Sequence, residues 1–372
     1  MPNFDHGRLE RAFSVVAGGV GRGAYAGAVA AVGGADGAAA VRAYGHAATE
    51  PAVVPMTVET LFDLASLTKV VAATPAILRL LEDGAFVLET PVQHILSAFS
   101  DPRVTIRHLL THTSGLPAWR PLYLDHTGWQ AYTEAICATP LIRDPGTLVE
   151  YSDLGFILLG AIITQVTGMS LPEYCRTAVF KPLGMSHTTW LPTIDRERIA
   201  ATERGNQVEY GMCKERAADF PRWRREVMWG EANDGNCFYG LQGVSSHAGL
   251  FATISDLVKY AQAWLRRGDP ILGPHTVALA TRSHTPGIPG QNRGLGWYKP
   301  PVVPFPNGRF GGGDMMSQAG FGHTGFTGTS LWIDPEKDLF MILLTNRLHP
   351  ISSDGLYAVS PAFHNAVVAS LR

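Results

Sequence analysis

A serine and a lysine three residues apart, Ser66-Leu67-Thr68-Lys69, form the only Ser-x-x-Lys in the chain. On a helix that spacing stacks both side chains on one face, a turn apart. A hydroxyl beside an amine able to take its proton is an activated nucleophile, suited to attack on a carbonyl carbon. If Ser66 sits in a first helical turn, the N–H groups there favour negative charge beside it. Further along come Tyr151-Ser152-Asp153 and His323-Thr324-Gly325. Tyr and Lys ordinarily titrate near ~10, so either must be shifted, or act in concert, to serve as a base near neutral pH. The sequence leaves open which of Lys69 and Tyr151 does so. Each residue also has a plain structural use: Tyr151 as a core aromatic, Asp153 as the N-cap of a helix over 154–168, His323 as a packed strand histidine.

These residues need elements to hold them. The pattern over 66–84 is helical and ends at Gly84, with Pro75 expected to kink it or open a hydrogen bond. An amphipathic helix is expected over 7–18, then strands over 25–32 and 38–47 joined by a glycine-rich turn. Near the other end, 323–334 and 339–346 alternate as a hairpin around Asp334-Pro335-Glu336-Lys337-Asp338, and a last helix covers 361–371. Strands at both ends with helices between imply a single antiparallel sheet built from both termini. The organisation expected is an α/β domain from 1–84 and 241–372, with 85–240 a mainly helical insertion lining the cleft. The polar, aromatic stretch 201–240 is too long for a simple connection. It is expected to border that cleft, with Trp223 or Trp229 in its wall.

Composition excludes several classes. The 372 residues are 46% hydrophobic and 17% charged, with 30 basic and 32 acidic side chains, which suits a globular protein with no call for nucleic acid or an anionic membrane. The opening residues lack a basic segment followed by an apolar one, and no apolar run is long enough to span a bilayer, so a cytoplasmic location is the expectation. Cys137, Cys175, Cys213 and Cys237 show no C-x-x-C spacing and read as free thiols. His108 and His112 are four apart but lack the adjacent glutamate of H-E-x-x-H, so they read as capping or core histidines. No metal or cofactor is expected, and no Gly-x-Ser-x-Gly elbow is present.

Taken together, the motifs resemble the penicillin-recognising serine hydrolases, in particular the class C β-lactamase and DD-peptidase-like branch with its esterase relatives. Ser66-Leu67-Thr68-Lys69 matches that family's first motif. Tyr151-Ser152-Asp153 falls where Tyr-x-Asn is expected, and His323-Thr324-Gly325 where Lys/His-Thr-Gly is expected. Residues 106–117, Pro145-Gly146, Lys181-Pro182-Leu183-Gly184-Met185 and His247-Ala248-Gly249-Leu250-Phe251 fit in the same order. The resemblance implies a β-lactamase/transpeptidase-like fold and an acyl-enzyme on Ser66. It implies proton transfer shared by Lys69 and Tyr151, and an oxyanion held by the backbone N–H groups of Ser66 and Phe326. His323, Thr324 and Gly325 would line the substrate side, with His323 bonding a substrate carboxylate or relaying a proton. Asp153 departs from the usual Asn and points towards small esters or peptides over β-lactams as substrates. The competing reading is a receptor that binds penicillin or peptidoglycan fragments without turnover.

Overall fold

The computed structural model describes residues 2–301 and 311–372. Helix α1 (His6–Gly21) leads into β1 (Gly27–Gly34) and β2 (Gly37–Ala48), then the short β3 (Val54–Pro55) and β4 (Leu61–Asp63). Helices α2 (Thr74–Glu82), α3 (Ile106–Leu110), α4 (Trp129–Cys137), α5 (Asp153–Thr167), α6 (Leu171–Cys175) and α7 (Gln207–Cys213) follow. The chain then returns through β5 (Phe251–Thr253), α8 (Ile254–Leu265), α9 (Pro274–Thr281), β6 (Phe321–Thr324), β7 (Thr329–Asp334), β8 (Leu339–Thr345) and α10 (Leu356–Val368).

Six strands form an antiparallel sheet in the order β3-β2-β1-β8-β7-β6, so strands from the two ends meet at β1 and β8. Both of these central strands are buried throughout, because each face of the sheet is covered. Side chains alternate along a strand. On β8, Phe340, Ile342 and Leu344 join the large core beneath α2, α5 and α8, while Leu339, Met341 and Leu343 pack with Phe13 of α1 and Phe363 of α10. Apolar residues on both faces explain why these strands read as continuous apolar runs rather than alternating ones.

The structure corrects several expectations. Beside the main sheet, β4 and β5 form a separate two-stranded pair, so the sheet is not single. The helix expected over 66–84 is divided: a π-helical turn over Lys69–Ala73 precedes α2, and Pro75 lies in the first turn of α2. Proline cannot donate to the carbonyl four residues back, and the ladder widens just ahead of it. The strand expected over 323–334 is two strands, β6 and β7, separated by a turn in which Gly328 has φ +103°. The last helix starts at Leu356 and carries Pro361 inside it. All four cysteines are buried and unpaired.

Candidate active site

Ser66 follows β4 across a strained turn. Ala65 has φ +44°, a region that costs a non-glycine residue about 1–3 kcal/mol. The turn is held by the Asp63 carboxylate, which accepts the Ala65 N–H at 2.8 Å and the Asn233 N–H at 2.7 Å. Thr68 in the same motif is used structurally: its hydroxyl accepts the Leu250 N–H at 3.1 Å, tying the Ser66 turn to the segment leading into β5.

Lys69 is fully buried, and its ammonium is surrounded by acceptors. It donates to Ser66 Oγ at 2.9 Å and to the His247 carbonyl at 2.9 Å, and pairs with Asp153 Oδ1 at 2.7 Å. An ammonium has three N–H bonds and no lone pair, so in its charged state Lys69 only donates. Burial by itself lowers the Lys69 pKa, but Asp153 and Tyr151 outweigh it and hold the amine above its ordinary value. Tyr151 stands beside it, with the ammonium 5.0 Å from the ring centroid. Burial pushes the phenol up to about 12, with Lys69 opposing and Asp153 adding to the shift.

Asp153 is the first residue of α5, and the N-cap is Ser152, whose hydroxyl accepts the Gly155 N–H. The N-cap expectation for Asp153 is therefore off by one residue, which releases the Asp153 carboxylate to face Lys69. His112 is a core histidine: its Nδ1 accepts the Ser152 N–H at 3.0 Å, and its ring lies 4.5 Å from that of Tyr151. His108 caps α3 together with Thr105.

His323 comes from β6 and is buried. Its Nδ1 lies 2.8 Å from the Thr324 carbonyl, which can only accept, so Nδ1 carries the proton. Nε2 is then a bare lone pair, buried without a partner. Burial first, then the charges of Arg293 and Lys69, hold the imidazole pKa well below its ordinary value. The β6–β7 turn and the start of β7 are strapped to the end of β4 by two hydroxyls: Thr327 donates to the Asp63 carbonyl at 2.7 Å and Thr329 to the Leu64 carbonyl at 3.0 Å.

These groups converge on a cavity of about 450 Å³, with Ser66, Tyr151, Asp153, His323, Thr324, Gly325 and Phe326 in its wall. Among the described residues, neither the Ser66 nor the Phe326 backbone N–H has an acceptor. Opposite stand Trp119, Glu209, Met212, Asn233 and Asp234. The 201–240 stretch thus borders the cleft, but neither tryptophan expected in the wall reaches it. Trp223 is half-buried against Tyr123, Phe220 and Tyr239, and Trp229 packs near Leu61, Ile199 and Phe251.

Asp234 and Arg293 were not singled out from sequence. Asp234 accepts the Cys237 N–H at 2.7 Å and meets His247 Nε2 at 3.0 Å; burial raises its pKa, but His247 outweighs this and leaves it lowered. Asp153, Asp234 and His247 offer ligand atoms within 4.8 Å of one another, enough to surround a cation, yet the Lys69 ammonium already pairs with Asp153 there. Arg293, fully buried, stacks on Tyr298 at 3.5 Å from the ring centroid and lies 5.3 Å from that of Tyr151. No spacing marks it, since it lies in the glycine- and proline-rich 283–320 stretch, of which 302–310 fall outside the described residues.

The Beta-lactamase family profile matches residues 13–360. A protein of Escherichia coli (strain K12) with the provisional name D-alanyl-D-alanine carboxypeptidase is 32% identical over 329 residues, covering 81% of this chain and 72% of that one. The N-acetylmuramyl-L-alanine amidase of Bacillus subtilis (strain 168) is 32% identical over 321 residues, covering 79% and 69%. Among solved structures, EstCE1, a hydrolase with promiscuous acyltransferase activity, superposes with a TM-score of 0.75 at 22% identity, over 97% of this chain and 99% of that one, a likeness of fold. With the profile spanning most of its length and relatives at this identity, the chain belongs to the Beta-lactamase family.

Proposed function

We propose that this protein is a serine hydrolase that forms an acyl-enzyme on Ser66 from small ester or peptide substrates, with D-amino-acid peptides and short esters preferred over β-lactams. The observation that carries this reading is the contact of the buried Lys69 ammonium with Ser66 Oγ at 2.9 Å, at the floor of a cavity of about 450 Å³. Held in its charged form by Asp153 and Tyr151, Lys69 acts as a donor that orients Ser66 and stabilises charge on Oγ. Tyr151 is then the group that takes the Ser66 proton and passes it to the leaving group. The unclaimed N–H groups of Ser66 and Phe326 support an oxyanion site between the nucleophile turn and the β6–β7 turn. In this reading the cleft lies between an α/β part, 1–84 with 241–372, and a helical insertion over 85–240.

Asp153 supports the substrate preference. The usual Asn donates an N–H to an acylamino carbonyl, whereas a carboxylate only accepts, so that contact is lost at about 1–3 kcal/mol. The names of the relatives, a carboxypeptidase and an amidase, point the same way. Turnover of p-nitrophenyl acetate and of D-alanyl dipeptides, measured against penicillin G, tests this: hydrolysis of the first two with weak penicillin turnover is expected. Penicillin hydrolysed at the efficiency of a dedicated β-lactamase overturns the preference.

A further inference from the structure

We infer that Arg293 is a positioning residue of the acylation step, a buried cation set behind Tyr151 and His323 to offset the charge of Asp153. The inference rests on the reading of Tyr151 as the proton acceptor. The guanidinium has no carboxylate partner among the described residues. Its Nη2 donates to Gln291 Oε1, and Nε and Nη1 are buried without acceptors. A buried charge without a counter-ion is a large cost to stability. Its surroundings are instead three rings at the reacting centre: Tyr298 beneath it, Tyr151 at 5.3 Å, and His323, whose ring is 4.7 Å from Tyr298 and 5.9 Å from Tyr151.

The charges facing Tyr151 can be taken element by element. Lys69 from the π-turn and Asp153 from the start of α5 are a bonded pair of opposite sign. His112, after α3, and His323, on β6, are held neutral, each by burial and then by the Arg293 and Lys69 charges. Tyr298 lies with its ring under the guanidinium. Asp234 is a second carboxylate beside Asp153, paired with His247, and Arg293 is the cation near Tyr151 that has no carboxylate partner among the described residues. When Ser66 Oγ bonds to the substrate carbonyl carbon, the carbonyl π pair moves to oxygen and the Ser66 proton goes to the Tyr151 phenolate oxygen. A fixed cation favours the phenolate that precedes this transfer. It also keeps His323 Nε2 a lone pair able to accept from the substrate.

The test is the pH profile of kcat/KM in Arg293→Met and Arg293→Lys. The Met protein is expected to show its acid limb moved up by about one to two pH units, with kcat/KM near neutrality down roughly 10–100-fold and recovering at high pH. KM should change little, and Tm should hold or rise because an unpaired buried charge is gone. The Lys protein keeps the charge and should keep the profile. A Met profile that superposes on wild type overturns the inference, and so does a loss equal at every pH with a lowered Tm. If the Met protein does not fold, Arg293→Gln carries the same test; failure of both neutral variants to fold also overturns it, since the charge then serves the fold. Fluorophosphonate labelling of Ser66 reports separately on the underlying reading: labelling with an unmoved profile removes the role of Arg293 alone, and no labelling in wild type removes both.

Discussion

The Asp153 carboxylate touches the Lys69 ammonium and raises the proton affinity of both Lys69 and Tyr151. A base whose pKa is raised is scarce in its active form at neutral pH. The kcat/KM of the wild-type protein is therefore expected to climb with pH through neutrality, without the plateau of an enzyme whose base titrates near 7. Asp153→Asn removes the carboxylate, lowers both pKa values and restores an N–H donor. The climb should then move to lower pH, acylation by penicillin G should rise about 10–100-fold, and activity on amine-bearing substrates should fall. A stopped-flow acylation series across pH checks both shifts, and an Asn variant with no gain on penicillin contradicts the argument. That Ser66, Lys69, Tyr151 and His323 meet at one cleft was legible because each sits in a short motif with its own spacing. Arg293 and Asp234 were not, because they act through packing between distant segments and carry no local signature.

At the level of elements, the site depends on how closely the turn after β6 approaches the nucleophile strand. A Cβ at Gly325 would lie 2.3 Å from the Leu64 carbonyl oxygen and 2.2 Å from Thr329 Oγ1. Gly325→Ala is expected to push that turn, with the Phe326 N–H, away from Ser66 and lower kcat by about 10²-fold. Thr329→Val keeps the shape and removes only the hydroxyl strap to Leu64, so a smaller fall, in kcat rather than KM, is expected from steady-state kinetics. Equal activity in both variants would mean that the strand spacing does not set the oxyanion site. The break between β6 and β7 was readable in principle, since Gly325 and Gly328 flank Phe326-Thr327. The alternating pattern on either side hid it. The π-turn over Lys69–Ala73 had its cause in view at Pro75, but a proline alone does not say whether a helix kinks, stops or widens.

Across the whole molecule, both faces of the sheet are buried, and acidic groups lie beside the cleft. Burial pushes Asp63 up to about 6 and Glu209 up to about 8. Between their unfolded and folded pKa values the folded protein holds protons that the unfolded chain has released. Their contribution to stability therefore falls as pH rises from about 4 to about 8, while the buried His112, His323 and His364, held below their ordinary values, add stability as pH rises through about 6.5. The Tm of Glu209→Gln minus that of wild type should grow from about pH 6 to about pH 8.5, because the variant lacks the carboxyl that costs more to bury as pH rises. A Tm difference that stays constant over this range contradicts the buried-carboxylate account. The sheet assembled from both ends of the chain was legible from strand patterns at 25–47 and 323–346. The destination of Trp223 was not, because aromatic content says that a segment packs but not against what.

The most direct measurement of the central claim is intact-protein and peptide mass after exposure to a fluorophosphonate probe. The expected result is one adduct, carried by the peptide containing Ser66, absent in Ser66→Ala and strongly slowed in Tyr151→Phe with the fold retained. An adduct that persists in Ser66→Ala, or one carried by any other residue, would contradict the assignment of this cleft as a serine acyl-transfer site.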